Sequence, residues 1–138
     1  MANDSSIDLL PTPIFTFIDS TIPHIWLPDD ACKRFEQELD LVWNPTVGLY
    51  LVNDTLHKIL VSQNATFTFR IGNATEGSPT IDINLPYASF DLTVDYPIVS
   101  NRTRYFPIVR AANETQYTLG RTFLQEALVY RTRKCYLC

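Results

Sequence analysis

Ile14-Phe15-Thr16-Phe17-Ile18-Asp19-Ser20-Thr21 is the stretch on which the reading of the fold turns. Its first five residues, entered after the prolines at 11 and 13, are β-branched or aromatic and predict a buried strand. Asp19-Ser20-Thr21 ends that strand abruptly, which leaves a carboxylate at a strand end beside two hydroxyl residues. A carboxylate so placed suits acid-base work on a water molecule. An aspartate that closes a strand also serves as a plain turn former or helix cap. Spacing alone leaves both readings open.

Downstream, Pro28-Asp29-Asp30 reads as a helix start, and Ala31, Phe35 and Leu39 recur at helical spacing, which predicts an amphipathic helix to about Leu41. Leu49 to Val52 reads as a strand and His57 to Ser62 as a short extended or turn segment. In Thr66-Phe67-Thr68-Phe69-Arg70-Ile71 apolar and polar residues alternate, as they do again in Ile81-Asp82-Ile83-Asn84-Leu85. The turn formers from Gly72 to Pro79 predict that these two strands pair as a hairpin. Pro86 and Pro97 break the following chain into turns, and Tyr105 to Arg110 reads as an edge strand interrupted at Pro107. After Thr118-Leu119-Gly120, one helical turn over Arg121 to Glu126 and a last strand over Ala127 to Tyr130 are expected.

A chain of 138 residues, 46% hydrophobic, is enough for the core of one domain. Nine prolines, four glycines and many Thr, Val and Ile favour a mostly β protein with one or two short helices. The net charge of -4 comes without a block of like charges, so no nucleic-acid partner is expected. No run approaches the roughly 20 apolar residues of a membrane-spanning helix. Cys32, Cys135 and Cys138 are an odd set that leaves at least one without an internal partner. Cys135 and Cys138 form a C-x-x-C pair, but His24 and His57 stand apart from it, so neither metal nor cofactor is expected. Cys32 reads as a small buried residue or half of a disulfide.

Six Asn-x-Ser/Thr triplets, at Asn3, Asn53, Asn64, Asn73, Asn101 and Asn113, point to a glycoprotein of the secretory pathway. MANDSSIDLL carries no basic stretch followed by an apolar one, so the secretory signal is expected on a part of the protein that precedes it.

The run Phe17-Ile18-Asp19-Ser20-Thr21-Ile22-Pro23-His24-Ile25-Trp26-Leu27-Pro28 resembles the second catalytic signature of the pepsin-like aspartic proteases, in which two apolar residues precede Asp-Thr/Ser-Gly and a proline follows before a helix. Thr118-Leu119-Gly120-Arg121-Thr122-Phe123-Leu124-Gln125 is similar to the apolar-apolar-Gly segment that crosses behind the catalytic loop in the C-terminal lobe of that family. The two motifs stand in the family's order, cover roughly Ile14 to Tyr130, and are worded most like fungal members. The resemblance implies a single pepsin-like lobe over residues 13–130, an N-terminal arm over 1–12 and an aberrant tail over 131–138 that leaves the lobe incomplete at its C-terminus.

For function it implies the C-terminal lobe of an aspartic endopeptidase. Asp19 is then one of two carboxylates that share a proton while activating water against a peptide carbonyl, and Ser20 takes the hydroxyl position that braces the paired loops. The partners implied are a peptide or protein substrate and an N-terminal lobe that supplies the second aspartate; one lobe alone is expected to be inactive. Thr21 departs from the family's glycine and adds a β-branched side chain beside the carboxylate. Arg121 departs from its usual aspartate. Thr21 supports the alternative of a non-catalytic module of the same fold that binds or inhibits.

Overall fold

A computed structural model describes residues 6–73, 77 and 79–134, with side chains described up to residue 127. In chain order the elements are β1 (Phe17–Ile18), β2 (Ile25–Leu27), α1 (Asp29–Leu39), β3 (Val42–Asn44), β4 (Leu49–Val52), α2 (Asp54–Ser62), β5 (Thr66–Gly72), β6 (Thr80–Pro86), β7 (Leu92–Val94), β8 (Thr103–Phe106), β9 (Ile108–Arg110), β10 (Thr118–Leu119) and α3 (Arg121–Lys134). The strands form three small sheets, ordered β1-β10-β2-β9, β3-β4-β8-β7 and β5-β6. Among the described residues roughly 29% are helix and 32% strand. The domain is therefore mixed α/β and not mostly β.

Two segments account for that correction. His57 to Ser62, expected extended, lies in α2, which Asn53 caps by accepting the Leu56 N–H on Oδ1 at 2.7 Å. Leu56 and Leu60, one turn apart, are buried, whereas Ile59 and Val61 are exposed. The apolar run thus straddles both faces of a helix, which hides the helical period. Ala127 to Tyr130, expected as a last strand, continues α3, in which Phe123 and Ala127 are buried at i and i+4. Asn53→Ala is expected to cost about 1 kcal/mol of stability, read as a lower urea midpoint with an unchanged slope.

The hairpin forms as its alternation requires: Phe67 stands opposite Leu85, Phe69 opposite Ile83 and Ile71 opposite Ile81. On its other face Arg70 grips Asp82 with two bonds of 2.9 and 3.1 Å. Leu49–Val52 is a strand as expected, and α1 ends at Leu39 because Asp40 turns left-handed, at φ 53°. Tyr105 to Arg110 is not one edge strand. β8 lies between β4 and β7, β9 forms the edge of a different sheet, and Pro107 stands where the chain changes sheets.

The core gathers Phe35, Phe67, Phe90 and Phe106 under Ile25, Leu60 and Ile108. Phe90 and Phe106 stack at 5.2 Å, and Phe67 meets Phe90 edge-on at 4.8 Å. Arg110 on β9 ties α1 to the sheet through Asp29 at 2.8 Å and Glu36 at 2.9 Å, and Glu36 also accepts the Tyr50 hydroxyl at 2.6 Å. Cys32 is buried under this network, and burial pushes its thiol up to about 11. Asn3, Cys135 and Cys138 lie outside the described residues. Among the described residues no helix is long and apolar enough to cross a membrane.

Candidate functional site

Asp19 to His24 and Tyr117 to Thr122 meet although Pro23 and Thr122 are 99 positions apart. β10 runs between the strand that enters the Asp19 loop and the strand that leaves it. It is parallel to β1, with Ile18 opposite Leu119, and antiparallel to β2, with Leu119 opposite Ile25. The Phe17 N–H donates to the Tyr117 carbonyl at 2.8 Å, and the Asp19 N–H to the Leu119 carbonyl at 3.3 Å. The carboxylate is thereby held at the level of Gly120.

Gly120 itself packs against the back of the loop. A Cβ at this position would stand 2.2 Å from the His24 carbonyl oxygen and 2.3 Å from that of Ile22, so only glycine fits. α3 begins at the next residue, and the loop satisfies its first free N–H groups: Arg121 donates to the Ile22 carbonyl at 2.7 Å and Thr122 to the Pro23 carbonyl at 3.2 Å. The Thr122 hydroxyl adds a bond of 2.7 Å to the same Pro23 carbonyl. Arg121, the departure noted in the sequence, is exposed and contributes its backbone to this junction.

Asp19 does not cap α1, whose N-cap is Pro28 without a side-chain bond. Its Oδ1 accepts two bonds from Thr21, at 2.6 Å from the hydroxyl and 2.9 Å from the backbone N–H. The Thr21 hydroxyl first, and its N–H second, hold the Asp19 carboxyl below its ordinary 3.8. A depressed carboxylate adds stability above that value and loses it as pH falls through the lower, folded-state pKa. Thr21→Val is expected to return Asp19 upward toward 3.8, measured by carboxyl-carbon NMR across an acid titration. Ser20 is exposed beside the aspartate. His24 is half-buried and meets Tyr105 edge-on at 5.6 Å; burial and then the charge of Arg121 hold its imidazole below the usual histidine range.

The strand expected to be buried over Ile14 to Ile18 is a correction. β1 is two residues long, forms a sheet edge, and leaves Phe15, Phe17 and Ile18 exposed by 73%, 61% and 64%. Nothing among the described residues packs over it.

Asn53, Asn64, Asn73, Asn101 and Asn113 are all exposed. Asn53 and Asn113 use Oδ1 in local bonds, which leaves Nδ2, the atom a glycan takes, at the surface. A second polar cluster had no signal in the sequence, because its members come from α2, the turn after β6, and β8. His57 Nδ1 lies 3.1 Å from the Tyr87 hydroxyl and 3.7 Å from Asp91 Oδ1, and Arg104 Nε lies 3.4 Å from the same oxygen. That oxygen is buried and has no hydrogen-bond partner among the described residues.

No protein-family model matches the chain, and no curated protein matches it. The resemblance therefore rests on the quoted residues and on how they are placed.

Proposed function

We propose that the chain is the C-terminal lobe of a secreted, glycosylated aspartic endopeptidase of the pepsin-like kind, inactive as a single lobe. The observation that carries this reading is the seat of the Asp19 loop on Leu119 and Gly120, two segments that the resemblance requires to meet and that local sequence does not bring together.

In that reading Asp19 is the member of the pair that stays ionised, because two donors from Thr21 stabilise its charge. It draws a proton from the attacking water, while the carboxyl of the second lobe donates one to the peptide carbonyl oxygen. The uncovered Phe15, Phe17 and Ile18 beside the loop supply an apolar seat for that second lobe. The test is endopeptidase activity on a denatured protein between about pH 3 and 6, by the polypeptide that joins both lobes, and its inhibition by a statine-type transition-state analogue. Absence of cleavage throughout that range overturns the proteolytic reading.

Thr21 favours a second reading, a non-catalytic module that binds peptide. Its hydroxyl and N–H both occupy Oδ1, one of the two carboxylate oxygens, and its β-branched side chain takes the place of the family's glycine beside the carboxylate. Peptide binding without cleavage, in the native two-lobed protein and equally after Thr21→Gly, would establish this alternative.

A further inference from the structure

The secretory reading makes the chain a glycoprotein, and two of its acceptor asparagines, Asn53 and Asn64, border a groove. Asn64 follows α2 in a left-handed conformation, φ 50°, and lines a shallow groove of about 170 Å³. Val61, Ala65 and Pro86 provide apolar walls, the buried Tyr87 forms part of the lining, and Asp91 completes it. Val61 is 57% exposed, an uncovered apolar side chain next to the acceptor residue. Asn53 also borders a groove, a wider one of about 410 Å³ whose lining includes Val52 and Thr93 together with the charged Asp54, Arg102 and Arg104.

We propose that the groove seats the first sugar of a glycan carried by Asn64. Resting on the secretory reading, the attachment takes a lipid-diphosphate-linked oligosaccharide as its co-reactant. The bond from sugar C1 to the diphosphate oxygen breaks, the bond from C1 to Asn64 Nδ2 forms, and Nδ2 gives up one proton. An N-acetylhexosamine has the chemistry the groove offers: an apolar ring face for Val61 and Pro86, and hydroxyl and amide donors for a lining that includes a carboxylate. The groove is small and open to solvent, so the proposal places the outer sugars in solvent.

The experiment uses the protein in two forms, secreted from a eukaryotic host and made unglycosylated in bacteria. Glycopeptide mapping establishes which acceptor asparagines are occupied. Asn64→Gln is expected to lower the melting temperature of the secreted form by about 3 °C more than that of the unglycosylated form, whereas Asn73→Gln and Asn101→Gln produce no such difference. Trimming every glycan to its first sugar should preserve the melting temperature, and Val61→Ser should destabilise the secreted form alone. Equal effects of Asn64→Gln in both forms, or an unoccupied Asn64 beside occupied Asn73 and Asn101, overturn the proposal and leave the secretory reading standing. Vacancy at every acceptor removes both.

Discussion

Gly120→Ala is expected to cost at least about 3 kcal/mol, the upper end of what overpacking does, and to release the Asp19 loop from β10. The added methyl would lie 2.2 Å and 2.3 Å from two backbone carbonyl oxygens, neither of which is the free end of a flexible side chain. Relief requires the Ile22 to His24 backbone to move. That backbone also accepts the first N–H groups of α3, so movement strips bonds of 2.7 and 3.2 Å, each worth about 1 kcal/mol. Gly48→Ala is the natural control, because Gly48 has φ +70° with nothing within 4 Å of the added atom. Its cost is conformational alone, about 1–2 kcal/mol. Urea unfolding of both variants separates the two causes, and a Gly120→Ala protein as stable as the native one would mean that the loop is not seated where it is described.

Thr118-Leu119-Gly120 states nothing locally about which carbonyls it meets, so this tight approach was not legible from local sequence. The hairpin was legible directly. Phe67, Phe69 and Ile71 alternate because one face of a two-stranded ribbon packs on the core, and period-two burial writes itself into composition. α2 was obscured because its buried stripe has only Leu56 and Leu60, with Ile59 and Val61 left in solvent, so that a helix presents a continuous apolar run. Asn53 reads from its triplet as a glycan acceptor, and that reading gives no sign of the cap it supplies through Oδ1. Pro107 reads in the sequence as an interruption in one strand, whereas it marks a change of sheet, which no local pattern encodes. The exposure of Phe15, Phe17 and Ile18 was illegible for a related reason: residues shaped for burial look the same whether their cover belongs to their own fold or to a partner.

If the proposed aspartic-endopeptidase reading holds, Asp19→Asn is expected to reduce the peptidase activity of the two-lobed protein about 10³-fold while leaving the fold intact, and that separation distinguishes it from Gly120→Ala. The amide is close to isosteric with the carboxylate and retains an oxygen for the hydroxyl and N–H of Thr21, so the bonds of 2.6 and 2.9 Å keep acceptors. What disappears is the charge and the capacity to take a proton from water. The Thr21 donors hold the Asp19 carboxyl below its ordinary value, and in that reading they favour its ionised form on the acid side of the rate profile. In that reading the two carboxyls titrate as a pair, so the partner's limb should also move in the variant, toward the behaviour of an uncoupled acid. Circular dichroism and urea midpoints close to native, together with the lost turnover and the shifted profile, place the deficit at the reacting atoms. An Asp19→Asn enzyme that cleaves at the native rate would leave the carboxylate a turn former, and a variant that fails to fold would make it structural.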